Sequence, residues 1–297
     1  GSVSNVRNEQ YTDKTIDNLE YRVIENFPII NNRIYPSLKS YLAAREGFLF
    51  TGLLIENDLE INFKENLIFL SNFKYSIVDN FDELIIPPDT IFPNQVRSDN
   101  KDYLRNFNQR VVLGRFELNY LNSLDRRHFF LISAGIFEDM FGGVSAEYLF
   151  FPEGSLFSLG AEFSKIKKRD YDMRFSFKDY ENTLLRTNIS IYEPKTDIKF
   201  KLSFGEYLAG DQGYTFEAGR VFENGVKMSA FFTRTNISKL EFGEGSFDKG
   251  IRFTIPFSIF GNNNLTKYEW RPLTKDPGAL LIKGIRLEDY VEKYRVY

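Results

Sequence analysis

Cysteine is absent from this sequence of 297 residues, and histidine occurs only once, at His128. The lack of thiols excludes disulfides and thiolate metal sites. A single imidazole leaves a histidine-based zinc site or a Ser-His-Asp triad almost impossible to assemble. We therefore predict no metal site, no cofactor and no catalytic residues.

Long apolar runs and a strong net charge are also lacking. There is no apolar run of about 18 residues, which excludes a transmembrane helix. A transmembrane β-barrel is not excluded, because its lipid-facing residues alternate with polar ones. The net charge is −3, so no basic field points to nucleic acid, and we predict no nucleic-acid partner.

Period-two alternation is the strongest pattern that is present. In residues 197–205, Ile198, Phe200, Leu202 and Phe204 face one side of a predicted strand, and the residues between them face the other. The same alternation occurs in segments 110–121, 144–150, 155–165, 213–222, 225–233 and 249–255. Each segment therefore has one apolar and one polar face.

The length and spacing of these segments indicate the architecture. Several approach the roughly 9–11 residues that a tilted membrane strand needs, whereas strands of soluble proteins usually have about 5–6. Short and long connections alternate strictly, as in barrels of the outer membrane. We predict an all-β, up-and-down antiparallel transmembrane β-barrel of about 14 strands, with twelve as the alternative number. A soluble β fold is the alternative architecture.

The predicted barrel occupies residues 33–287. Residues 1–32 are expected to form a polar N-terminal extension, and residues 288–297 a C-terminal tail. The segment 285–297 fits either a final strand or an amphipathic helix. The alternation also predicts which side chains face lipid (Phe157, Leu159, Phe163, Phe200, Leu202, Phe216, Ile251 and Phe253) and which face inward (Glu162, Arg186, Lys199, Lys201, Glu217 and Arg252).

The long connections 137–143, 167–181, 205–213 and 236–250 bring polar and aromatic residues to one rim of the predicted barrel. Carboxylates, tyrosines and arginines suit sugar hydroxyls and sugar rings, and the same groups would equally brace the loops against one another. A pair of carboxylates is also the equipment of a glycosidase. The candidate rim residues are Asp139, Tyr171, Asp172, Tyr207, Asp211, Glu244, Asp248 and Arg252.

Several segments resemble the C-terminal barrel portion of the YjbH family, outer-membrane proteins encoded with exopolysaccharide and group-four capsule systems. The resemblance runs from about residue 34 to 284 and includes the VRSD stretch of residues 96–99. Family members are considerably longer, so the chain is expected to be one barrel-forming portion or a shortened relative. The other matching segments read FEDMFGG (137–143), KKRDYDMRFSFKDY (167–180), YLAGDQG (207–213), FENGVKMSAFFT (222–233), FGEGSFDKGIRFTIP (242–256) and RPLTKDPG (271–278).

This resemblance implies a location in the outer membrane of a Gram-negative bacterium and a role in polysaccharide export or surface attachment. It supplies no catalytic residues. We therefore predict a non-enzymatic scaffold or conduit of exopolysaccharide or capsule secretion. Its expected partners are outer-membrane lipid, polysaccharide and other secretion proteins. A lumen-based glycan- or lipid-modifying hydrolase and a general porin are the alternatives.

Overall fold

A computed structural model of the chain describes residues 26–44, 47–83, 94–107, 110–223, 226–238, 247–257, 264–270 and 276–293. Most of the predicted N-terminal extension and the rim candidate Glu244 lie outside these ranges.

Thirteen strands occur in the described residues, and each pairs antiparallel with its neighbours in sequence. This order confirms the predicted all-β, up-and-down arrangement. The thirteen strands of the described ranges lie between the two predicted numbers, twelve and about 14. The strands are β1 Ile29–Ala44, β2 Gly47–Lys64, β3 Leu67–Asp79, β4 Val111–Ser123, β5 His128–Ile136, β6 Phe141–Phe150, β7 Phe157–Arg169, β8 Phe177–Glu193, β9 Ile198–Glu206, β10 Gln212–Val221, β11 Lys227–Thr235, β12 Asp248–Phe257 and β13 Asn264–Trp270.

The helices of the described ranges are short. Helix α1 spans Asn100–Leu104, helix α2 spans Leu287–Lys293, and 3-10 turns span Phe81–Glu83 and Arg105–Phe107. None of these helices has the length and apolar character needed to cross a bilayer.

The two faces of the sheet differ as the alternation predicts. Phe157, Phe163 and Phe200 on the outer face are between 38% and 48% exposed. On the opposite face, Lys199 and Lys201 of β9 form ion pairs with Glu288 of helix α2. A water-soluble domain buries its apolar face, so the exposed apolar face and the polar interior identify a transmembrane β-barrel.

Residues 276–293, which we name the inner segment, lie inside the curled sheet. The Gly284 amide donates to Glu117 of β4, and Lys283 contacts Glu147 of β6. Helix α2 packs Leu287 and Val291 against Leu131 and Leu149 of strands β5 and β6. A segment that contacts strands from β4 to β9 on one face requires the sheet to wrap around it.

The inner segment corrects the predicted boundaries. The first strand begins at Ile29 rather than at residue 33. Residues 276–286 were expected in the barrel wall, but they run inside it without strand structure, and helix α2 follows directly. This segment lacks a long alternating pattern, and it provides cations and carboxylates whose partners are on the inner face of the wall.

The main apolar core lies at one end of the barrel. It contains buried residues from the β3–β4 connection, among them Phe81, Tyr103 and Leu104, packed with Phe137 and Leu208 from later connections. The connections supply much of this core, together with buried apolar residues of the strands such as Leu54 and Val112, and the core holds the connections together.

Candidate functional site

The connections at this end of the barrel form one packed unit, which we name the cap. It comprises residues 94–107, 137–140, 170–176, 207–211 and 276–282. The Leu208 amide donates to the carbonyl of Ala279 at 3.0 Å, and the Asn94 side chain donates to the carbonyl of Ala209 at 3.1 Å. Each connection thus meets residues distant in sequence.

Asp276 joins the start of the inner segment to the β3–β4 connection. One of its carboxylate oxygens accepts hydrogen bonds from the amides of Val96, Arg97 and Ser98, at 2.8, 2.8 and 2.9 Å. The Asp276 side chain is fully buried. Three converging N–H groups form an anion cradle, which the protein fills with its own carboxylate.

Arg97 forms the second junction of the cap. Its guanidinium donates to both carboxylate oxygens of Glu138 at 2.8 Å, and also to the carbonyl of Leu280 at 2.8 Å. Burial would lower the pKa of Arg97, but the Glu138 carboxylate outweighs burial and raises it. This fork geometry fixes the β5–β6 connection to the β3–β4 connection and to the inner segment.

Arg169, at the end of β7, is the largest fully buried side chain among the described residues. It donates to three carbonyl oxygens, those of Glu138 at 2.9 Å, Asp139 at 3.0 Å and Arg174 at 2.8 Å. The Tyr103 hydroxyl donates to the carbonyl of Arg169 at 2.6 Å. Arg169 therefore satisfies loop carbonyls that would otherwise be buried without donors.

The predicted rim residue Asp139 lies at the cap margin between two strands. Its carboxylate pairs with Lys74 of β3 at 2.7 Å and with Lys39 of β1 at 3.1 Å. Burial would raise the pKa of Asp139, but the two lysines outweigh burial and hold it well below its usual range. Asp139 thus links the β5–β6 connection to the first part of the barrel.

Tyr171 and Asp172 are the more accessible of the rim candidates. The Tyr171 ring is half-buried, its hydroxyl donates to Asp99 at 3.0 Å, and the Lys178 ammonium lies 3.1 Å from the ring centroid. Burial, followed by the charge of Asp99, raises the pKa of Tyr171. Asp172 is exposed and accepts a hydrogen bond from the Arg174 amide at 3.0 Å.

Tyr207 and Asp211 are buried rather than exposed at the rim. The Tyr207 hydroxyl is 2.7 Å from the hydroxyl oxygen of Thr215, and the Arg186 guanidinium lies 4.8 Å from the ring centroid. Asp211 accepts a hydrogen bond from the Gly278 amide at 2.7 Å. Gly278 has φ +77°, and an added Cβ would lie 2.9 Å from Thr233, so this contact requires glycine.

Asp248 and Arg252 lie on the same strand, β12. Asp248 is buried at the start of the strand, beside Gly278. Arg252 faces the interior, where it pairs with Glu217 at 2.6 Å and lies 4.0 Å from the centroid of the Phe231 ring. The rim candidates are therefore divided between the cap and the barrel interior.

Sequence reasoning did not select as site residues the three that join the cap, Arg97, Glu138 and Asp276. All three lie in segments that carry the family resemblance, namely the VRSD stretch, the FEDMFGG segment and the KDPG stretch. The resemblance of those segments was the signal that could have found them. Their pairing was not predictable, because 180 positions separate Val96 from Asp276.

The interior contains a second polar cluster along the inner segment. Lys283 pairs with Glu147 at 2.6 Å and with Glu162 at 2.7 Å. Glu288 pairs with Lys199 and with Lys201. Between the inner segment and strands β7 to β12 lies a cavity of about 70 Å³.

Neither cluster has the composition of a metal site. Across the ranges that the structure describes, no group of three or more His, Asp or Glu side chains is placed to hold an ion. The cap carboxylates accept hydrogen bonds from backbone amides or pair with cations, an arrangement that braces loops.

Comparison with known proteins gives a family match. The model of the YjbH family, described as "Exopolysaccharide biosynthesis protein YbjH", matches residues 3–293. The chain is 28% identical over 265 residues to "Uncharacterized lipoprotein YjbH" of Escherichia coli strain K12. This alignment covers 86% of the chain but only 38% of the relative, so the chain spans about two fifths of that protein's length.

Two solved structures also align with the chain, both titled OmpT, in-vitro folded, an outer membrane protein of Vibrio cholerae. The trimer form covers 81% of this chain and 99% of its own, with 8% identity and a TM-score of 0.35. The other covers 84% and 99%, with 8% identity and a TM-score of 0.36. TM-scores this low carry no argument, so the assignment of the fold rests on the strand pairing described above.

Proposed function

Because this chain belongs to the YjbH family of exopolysaccharide biosynthesis proteins, we propose that it is a non-enzymatic scaffold in exopolysaccharide or capsule secretion. The barrel lies in the outer membrane of a Gram-negative bacterium, where antiparallel barrels of this kind occur. In this role the barrel holds other secretion proteins and the polysaccharide at the membrane.

The observation that carries the proposal is the occupied interior. The inner segment enters from the cap and is held by Lys283, Gly284 and Glu288 to strands β4, β6, β7 and β9. A general porin needs a continuous aqueous channel, whereas barrels filled by a helix or a loop serve other functions. The filled interior therefore favours a scaffold over a porin or an open conduit.

The ion pairs of the interior carboxylates support a non-enzymatic role. Glu147 and Glu162 share Lys283, Glu217 pairs with Arg252, and Glu288 pairs with two lysines. A glycosidase needs one carboxyl group that donates a proton and a second that reaches the sugar or a water molecule. Carboxylates paired with cations in this way are suited to bracing the interior, where those on Lys283 and Glu288 hold the inner segment.

We divide the rim candidates between two proposed roles according to their burial. Tyr207, Asp211 and Asp248 are buried, so we assign them to bracing. Tyr171 and Asp172 are the candidates for contact with glycan, because an exposed carboxylate beside a half-exposed ring offers both polar and stacking contacts. Asp139, paired with two lysines, is assigned to bracing as well, whereas Glu244 stays a candidate for glycan contact from its sequence position alone.

Planar-bilayer conductance tests the scaffold role. We expect the wild-type barrel to show little steady conductance, with or without purified polysaccharide. Lys283→Ala should raise the conductance, because it releases the inner segment. This variant is the positive control, which shows that the assay detects an open barrel. A large ohmic conductance of the wild type would overturn the proposal in favour of a porin.

The hydrolase alternative needs a separate measurement. Purified polysaccharide is incubated with the protein, and its chain length is followed by size-exclusion chromatography. We expect no shortening. A decrease in chain length that Glu162→Gln or Glu217→Gln abolishes would identify an enzyme instead.

A further inference from the structure

The interior cavity is lined by charged groups of both signs. It lies between the inner segment and the wall, and its charged lining residues are Glu162, Lys201, Glu206, Arg186, Glu217, Arg252 and Arg286. Whether a ligand of defined charge fits here depends on which of these groups are already neutralised inside the protein.

Most of the cavity's charged groups have partners. Glu162 pairs with Lys283, and Arg252 pairs with Glu217. Lys201 pairs with Glu288. Glu206 accepts hydrogen bonds from the Leu185 amide at 3.1 Å and from the Gln212 side chain at 3.2 Å.

Arg186 and Arg286 are the cations that remain. In the part of the chain that the structure describes, neither forms an ion pair. The Arg186 guanidinium lies over the Tyr207 ring, and Arg286 donates one hydrogen bond to the carbonyl of Leu281 at 3.0 Å. Glu162 acts on both arginines through space, and Asp289, Glu147 and Glu217 also act on Arg286, but none of these carboxylates forms a salt bridge with either arginine.

Two guanidinium groups that face one cavity without a direct ion-pair partner repel each other. Arg186 is half-buried and Arg286 is exposed, so an anion can reach both side chains. An anion bound between them would offset the repulsion. Each guanidinium also presents several N–H donors in a planar fork, the geometry that binds carboxylate and phosphate oxygens.

We propose that this cavity is a binding site for an oxyanion, a carboxylate or a phosphate group, held between Arg186 of the wall and Arg286 of the inner segment. The cavity of about 70 Å³ has space for roughly five water-sized groups. That is the size of one oxyanion rather than of a sugar ring. Because the two arginines belong to different parts of the fold, the bound anion fastens the inner segment to the wall.

Binding is tested on the whole chain in detergent micelles, in a chloride buffer of constant ionic strength. Inorganic phosphate and acetate are titrated separately by calorimetry, with acetamide as the uncharged control. We expect saturable binding of at least one of the two anions, accompanied by a higher unfolding temperature, and none with acetamide. Preference for phosphate or for acetate identifies the oxyanion as a phosphate or a carboxylate group. Absence of saturable binding of both anions to the wild type overturns the proposal.

The variants locate the site. Arg186→Gln and Arg286→Gln should each weaken binding at least tenfold, whereas Arg220→Gln should leave it unchanged. Arg220 is a matched control, because it pairs with Asp197 at the exposed end of β10, outside the cavity. Arg286→Lys serves as a second variant that keeps the charge, and we expect it to bind more weakly than the wild type. Unchanged affinity in both glutamine variants would place the anion elsewhere and overturn the proposal.

Discussion

The ammonium nitrogen of Lys283 lies 2.6 Å from a carboxylate oxygen of Glu147. The same nitrogen is 2.7 Å from Glu162, and the side chain of Lys283 is almost entirely buried. One cation of the inner segment thus joins two carboxylates of adjacent strands, β6 and β7. Two carboxylates so close together would repel each other without it, so Lys283 is required for the packing of the interior.

We expect Lys283→Ala to lower the free energy of unfolding by about 3–5 kcal/mol, because it leaves two largely buried carboxylates without their cation. Thermal unfolding in detergent, followed by circular dichroism, measures the change. Limited proteolysis should also cut the inner segment faster in the variant than in the wild type.

Arg126→Ala is the matched control for this prediction. Arg126 pairs with Glu153 at 3.7 Å, with both side chains largely exposed. An exposed ion pair contributes about 0–1 kcal/mol, so this variant should unfold nearly as the wild type does. Equal losses in the two variants would refute a special role for Lys283.

Asp276 provides the second prediction. Replacement by alanine removes the acceptor of three buried amides, and each unsatisfied donor costs about 1–3 kcal/mol. We expect Asp276→Ala to destabilise the cap by about 3 kcal/mol or more, and Asp276→Asn, which keeps one acceptor oxygen, to destabilise it less. Hydrogen exchange of the amides of Val96, Arg97 and Ser98, followed by mass spectrometry, measures the opening of the cap.

Asp172→Ala is the control for the Asp276→Ala prediction. Asp172 is exposed and bonds only within its own loop in the contacts described above, so its loss should change stability by about 0.5 kcal/mol. If exchange at residues 96–98 were as slow in Asp276→Ala as in Asp172→Ala, the cradle would have no energetic role.

The sequence predicted the wall of the barrel better than its contents. Strand faces follow from alternation, which is a local pattern, and Lys199 and Phe200 face opposite sides as expected. The contacts between Asp276 and Val96, and between Lys283 and Glu147, join residues that are well over a hundred positions apart in sequence. No local period encodes such pairs, so the cap and the inner segment required the structure.

The predicted lipid face can be tested at Leu202 of β9. Its register partners are Phe216 of β10 and Ile189 of β8, which lie on the same outer face. We expect Leu202→Arg to destabilise the barrel by about 2–4 kcal/mol in lipid, since a cation near the bilayer midplane is costly. Lys201→Arg, one residue away and facing inward, should be nearly neutral. Equal stability of these two variants in lipid-reconstituted unfolding would contradict the assignment of faces.

Asp211 gives the cap a dependence on pH. Burial raises the pKa of Asp211 to about 6, although the Gly278 amide donates a hydrogen bond to its carboxylate. A carboxyl group whose pKa is higher in the folded than in the unfolded state stabilises the fold at low pH. Its contribution is complete below about pH 4 and is lost as the pH rises to about 6, by at most about 3 kcal/mol.

Asp211→Asn removes this titration while keeping an oxygen that accepts from Gly278. We expect the variant to gain stability relative to the wild type as the pH rises from 4 to 6. Above pH 7 the difference between their free energies of unfolding should be constant. Taking the difference cancels the other carboxylates, including Asp139, whose lowered pKa acts with the opposite sign. Urea unfolding of both proteins at pH 4, 5, 6 and 7 measures this difference in unfolding free energy. A difference that stays constant from pH 4 to 7 would mean that Asp211 ionises in the cap as it does in water.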